Sequence, residues 1–154
     1  MDKKLKNALS DIFNKYSFEL TENGKIDPTY FLIKDNFILP LRNVHHIDFN
    51  LYANFVINQA TQRNADALAL ILENSVITGY KEDKDIQAII NGSLSVSDHP
   101  DSASYLILIY MTSKGAQEAL FGKIEKDIRG IKFVSNSEWV CDFATNLGVK
   151  LVST

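Results

Sequence analysis

The run Ala67-Leu-Ala-Leu-Ile-Leu72 offers no polar position on any side. Alanine and leucine favour helix by intrinsic propensity. A segment this short that is apolar all round nevertheless fits a central strand with both faces buried. It also follows a helical pattern that ends at Asn64, which makes a compact helix-then-strand unit. The stretch Asp66–Ile77 is therefore read as a central strand. A second apolar run makes Tyr105–Thr112 the clearest strand in the chain.

The flanking segments build on these two strands. Leu5, Leu9, Ile12, Phe13 and Tyr16 recur at helical spacing, with Lys3, Lys6, Asn7 and Lys15 opposite, which predicts an amphipathic helix over 2–16. Thr21-Glu-Asn-Gly24 reads as a turn. Thr29–Lys34 and Phe37–Leu41 flank Asp35-Asn36, a pair that tolerates the left-handed backbone of a two-residue hairpin. Pro40 has no N–H to give to a ladder, so its strand lies at an edge. Asp48 is a natural cap for a helix over 49–63 whose inward residues are Tyr52, Phe55, Val56 and Ala60. Lys81–Asn91 reads as a short helix or a loop excursion, and 92–101 as irregular. Lys114-Gly115 and Ile128-Arg-Gly130 are turns of an antiparallel meander formed with Ala119–Lys126 and Ile131–Ser135. Ser137 is expected to cap a last helix with Trp139, Val140, Phe143 and Leu147 inward and Gly148 just past its end. The predicted fold is one α+β domain over 1–154. It has an antiparallel sheet of five or six strands, two helices on one face and a short C-terminal helix.

Composition narrows the function classes. A net charge of −3 with scattered lysines argues against a nucleic-acid partner, since phosphate neutralisation supplies most of that affinity. Such a partner would need Lys123, Lys126, Arg129 and Lys132 to gather on the meander. The single cysteine, Cys141, excludes an internal disulfide and reads as a small core residue of the last helix. No apolar run approaches a membrane span, and no leader pattern opens the chain, so a cytoplasmic location is expected. Walker-type phosphate loops, Gly-x-Gly-x-x-Gly and Gly-x-Ser-x-Gly are absent from the sequence.

Chemistry concentrates at two places. In Ser97-Asp98-His99-Pro100-Asp101 an imidazole stands between two carboxylates, residue types suited to metal ligation or to a tuned base. The same residues also make ordinary turns, with aspartate capping backbone N–H groups. Glu73 ends the buried run, where an active-site acid can sit; it can equally pair with a lysine such as Lys81 at an exposed tip. His45-His46 are adjacent, and adjacent side chains do not converge on one metal.

The strand ending in Glu73, followed by a Ser-(Asp/Glu)-His-Pro-Asp loop and a hydrophobic strand, resembles a loose pattern of small uncharacterised bacterial and phage proteins. This chain has Ser102 where that pattern carries arginine. It has Asn74-Ser75-Val76 where the pattern places a small residue and a tryptophan. The resemblance implies an α+β fold and a site shared by Glu73 and the Ser97–Asp101 loop, with no activity attached.

The expected function is a non-enzymatic binding or regulatory module that self-associates as a homo-oligomer, through a strand edge or the helical face, or meets a protein partner. The hairpin around Pro40 is the expected contact surface. The alternative is a metal-assisted hydrolase in which Asp98, His99 and Asp101 hold a divalent ion such as zinc and Glu73 activates water.

Overall fold

A computed structural model describes the backbone of residues 1–144 and 149–151, with the side chains of Asp98, Ala144, Val149 and Leu151 left out. Three helices and a curled antiparallel sheet make an α+β fold. The elements are α1 (Lys3–Asn23), β1 (Thr29–Lys34), β2 (Phe37–Leu41), α2 (Phe49–Gln62), β3 (Ala67–Gly79) and α3 (Lys84–Ile90). A 3-10 turn at Val96–Asp98 is followed by β4 (Ala103–Thr112), β5 (Gly115–Lys126), β6 (Lys132–Val140), β7 (Phe143–Ala144) and β8 (Val149–Leu151). The main sheet runs β2-β1-β3-β4-β5-β6. No described helix is long and apolar enough to cross a membrane.

Helix α1 begins where Asp2 accepts the Leu5 N–H at 2.8 Å and stops where Gly24 enters the left-handed region at φ 77°. It runs a further two turns beyond the predicted end because Leu20 extends the buried stripe of Leu5, Leu9, Phe13 and Tyr16. The β1–β2 hairpin turns through Asp35 (φ 51°) and Asn36 (φ 65°), as their tolerance for that backbone requires. Strand β3 does occupy the centre, between β1 and β4. Ala67, Ala69 and Ile71 point to one face and Leu70 to the other.

That two-sided apolar strand decides where the helices go. Helix α1 packs with Phe31, Ile33, Ala69, Ile71, Leu106 and Leu108 on one face. The buried side of α2, Tyr52 and Val56, packs with Tyr30, Leu70, Ile107 and Phe121 on the other. The two predicted helices thus lie on opposite faces, not together, because leaving either apolar face of β3 and β4 open would forgo its burial.

The predicted C-terminal helix is also corrected. Residues Ser137–Val140 belong to β6, with Ser137 opposite Gly122 and Trp139 opposite Leu120. Trp139 turns toward α1, where its indole N–H donates to Ser10 Oγ at 3.3 Å, while Val140 and Phe143 join the α2 face. Neighbours pointing to opposite sides are a strand's geometry. The pattern Trp-Val-x-x-Phe satisfies both periods, and pairing with β5 decides between them. Leu147 and Gly148 lie outside the described residues. Cys141 is exposed, not packed, because it sits in the bend after β6.

Beyond the main sheet, the last residues of β3 pair in parallel with β8, Ile77 opposite Val149, and β8 pairs with β7. This arm carries Phe143 onto Phe121, ring centroids 6.0 Å apart. Helix α3 seals the same end of β3 by burying Ile86 and Ile89 on Ile77.

Candidate functional site

The Ser97–Asp101 loop lies beneath the far end of β3, and His99 is buried there. The backbone N–H of Asp101 donates to His99 Nδ1 at 3.0 Å, which leaves the ring proton on Nε2. Nε2 faces Asp85 Oδ2 of α3 at 2.9 Å. A recess of about 260 Å³ opens beside the pair, lined by Thr78, Asp83, Lys84, Asp85, His99 and Asp101 among others. Both imidazole nitrogens are therefore committed within the fold. A metal ligand or general base needs a free nitrogen lone pair, and His99 has spent its own on the Asp101 amide. His99 ties the loop to α3, a structural service for which Asp85 gave no signal in the sequence.

Glu73 is placed elsewhere. Its Oε1 accepts the Ile26 N–H at 3.3 Å and its Oε2 pairs with Lys132 Nζ at 3.6 Å, joining the exit of α1 to β6. It does not line the His99 recess. Among the described residues no three His, Cys, Asp or Glu side chains gather as a metal group, and the Asp98 side chain lies outside them. His45 and His46 are exposed on the loop before α2. Three of the four basic residues singled out on the meander have acidic partners. Lys132 is held by Glu73, Arg129 by Asp127 at 2.8 Å, and Lys123 lies 4.0 Å from Glu125.

A different surface stands out. From Phe37 to Gln62 the only formally charged residues are Arg42 and Asp48, and α2 itself contains none. Capped by Asp48, α2 starts over the end of β2, where the Tyr52 hydroxyl donates to the Leu41 carbonyl. It ends beside the hairpin tip, where Lys34 Nζ donates to the Arg63 carbonyl at 2.9 Å. The helix thus lies along the hairpin. Tyr52 and Val56 face the sheet, while Ile57, Ala60 and Thr61 turn toward Leu68, Met111 and Thr112 across a groove of about 440 Å³. On a 3.6-residue helix Leu51 and Phe55 then fall on the opposite flank, the one beside β2. Leu51 is 60% exposed and Phe55 50%. Phe37 and Leu39 of β2 share a strand face with Leu41, which packs on the α2 side, and they are 80% and 40% exposed.

The sequence reading misplaced Phe55 in the core. Tyr52 and Val56, with Phe49 and Ala53 beside them, make the contact with the sheet, and Phe55 sits about 100° around the helix from Val56. The signal that would have found this surface is the near-absence of charge between Phe37 and Gln62, because an exposed helix ordinarily carries charged residues on its outer face.

The tyrosines beneath this face are strongly held. Burial pushes the phenol pKa of Tyr30 and Tyr52 above its ordinary value. Tyr30 and Tyr52 contact edge to face with centroids 5.3 Å apart, and Phe49 stacks on Tyr30 at 6.0 Å. The start of α2 is thus anchored to β1 through Phe49 and Tyr52. No protein family, curated protein or solved structure matches this chain.

Proposed function

We propose that this protein is a non-enzymatic binding module whose working surface is the flank of α2 together with the neighbouring face of β2. The observation that carries the reading is the exposure of Phe37, Leu39, Leu51 and Phe55 within a segment almost free of charge. Together these four side chains offer roughly 400 Å² of apolar area, as large as the biggest patches on ordinary monomers, which are commonly binding sites. Charge-poor rims of Asn54, Asn58 and Gln62 surround them, a composition that suits contact with another polypeptide.

Hydroxyl-radical footprinting tests this. Phe37 and Phe55 should react freely in dilute purified protein and become protected in a concentrated extract of the cells that make it. Phe18, 68% exposed on α1, serves as the reference. Equal reactivity of all three phenylalanines in both conditions would overturn the reading.

A further inference from the structure

Resting on that reading, we infer that the occupant of the face is a second copy of this chain. It docks about a two-fold axis beside Phe55, with the two α2 helices antiparallel. The first support is self-complementarity. A two-fold interface applies the same patch to itself, so any charge within it meets its own sign or must be offset across the axis. Between Phe49 and Gln62 no charge exists to be offset.

The charges at the two ends of α2 fit the same axis. Asp48 lies seven residues before Phe55 and Arg63 eight after it. Antiparallel helices centred on Phe55 therefore set Asp48 beside Arg63 of the partner subunit, at both ends of the contact. Both side chains are exposed in the single chain, and neither has an ion-pair partner among the described residues. The antiparallel arrangement also places each helix N-terminus by the other's C-terminus, which favours opposite dipole ends.

The area agrees. A stable interface buries ~800 Å² per partner, a little over half of it apolar. The four side chains supply most of that apolar share, with Asn and Gln left for the rim.

The strand edge is excluded as the means of joining. In a two-residue hairpin Lys34 and Phe37 exchange hydrogen bonds, as do Leu32 and Leu39, so Ile38 and Pro40 direct their backbone groups outward. Pro40 has no N–H, which leaves the outer edge of β2 a single donor at Ile38. A continuous ladder between two copies cannot form there. The expectation of contact at the Pro40 hairpin is thereby refined: its side chains join the interface and its backbone does not.

Light scattering and sedimentation from low micromolar to millimolar concentration would test the proposal. The particle mass should rise from 17.3 kDa to twice that. Phe55→Asp should stay monomeric throughout with an unchanged melting midpoint at low concentration. Arg63→Glu should weaken association about ten-fold in low salt and less in high salt. In a Cys141→Ser background, mild oxidation should cross-link Phe55→Cys across the axis far faster than Phe18→Cys. A monomeric mass at every concentration, or equal cross-linking at both positions, would overturn self-association. If the footprinting protection in extract persists in that case, the face binds a different polypeptide. If protection is also missing, both readings fall.

Discussion

The hydroxyl of Tyr52 on α2 accepts the backbone N–H of Tyr30 on β1 at 2.7 Å. The same hydroxyl donates to the carbonyl of Leu41, the residue opposite Tyr30 in the hairpin. A helical side chain thus stands inside the last rung of the β1–β2 ladder and fixes α2 to both strands. Tyr52→Phe keeps the ring and leaves a buried donor and acceptor without partners. The expected loss is about 1–3 kcal/mol of unfolding free energy by urea titration. Tyr110→Phe, whose hydroxyl bridges no such pair, should cost about 0.5 kcal/mol or less. Equal effects would show that the bridge contributes nothing.

His99 should matter for stability and not for metal. His99→Ala removes the acceptor of the Asp101 N–H and the partner of Asp85, at an expected cost of about 1–3 kcal/mol. His99→Asn, whose side-chain oxygen can replace Nδ1 as acceptor, should recover part of it. Zinc, manganese and magnesium added singly should leave the wild-type melting midpoint within about 1 °C, whereas a metal held at 100 times its Kd would add ~2.7 kcal/mol. A rise of several degrees that His99→Ala abolishes would restore the hydrolase reading.

Gly122 lets α1 approach the sheet. A Cβ there would meet Val134 Cγ1 at 2.5 Å and Phe13 Cζ at 2.7 Å, and Phe13 is fully buried. Gly122→Ala should cost about 1–3 kcal/mol through overpacking. At Gly79 the nearest atoms are Cγ1 and Cδ1 of Ile86, at 2.8 and 2.9 Å. Gly79→Ala should be milder, since Ile86 rides on the short helix α3 (Lys84–Ile90), which can shift with it, whereas Phe13 is fixed within the long α1. Thermal melts of the two variants would rank them, and the reverse order would refute this account of the α1 contact.

Stability should also respond to pH at both extremes. Burial raises the Tyr30 and Tyr52 pKa above the ordinary 10.0, so folding favours the neutral phenols. Their contribution is complete below the ordinary value and is lost as pH rises toward the folded ones. Urea midpoints should fall as pH passes ~10, less steeply in Tyr52→Phe. At the acid end the Arg129 side chain, then the Ile131 and Arg129 N–H groups, hold the Asp127 pKa below 3.8. That contribution is present above 3.8 and lost as pH falls through the folded value. Proton titration by NMR should find Asp127 titrating below 3.8 and moving back toward it in Arg129→Ala.

Local chemistry made much of the architecture legible. Asp35-Asn36 dictates its hairpin because few residue pairs accept that backbone, and Asp2, Gly24 and Asp48 mark helix ends through bonds to nearby N–H and carbonyl groups. The run Ala67–Leu72 announced a central strand because nothing in it tolerates water. These are short-range decisions, and the α+β class follows from them.

What the sequence could not determine was who stands opposite whom. Trp139 and Val140 became strand because β5 offered a ladder, and Phe55 stayed outside because α2 turns Phe49, Tyr52, Ala53 and Val56 to the sheet instead. Glu73 and His99, joined only in the hydrolase alternative and in the resemblance, pair with Lys132 and Asp85. Turns, caps and the central strand were settled locally, since they depend on backbone sterics and on solvation within a few residues. The helix faces, the strand at 132–140 and the partners of the polar side chains were chosen by packing across the whole fold. Those choices rest on contacts between residues far apart in the chain, whose energies no local pattern encodes.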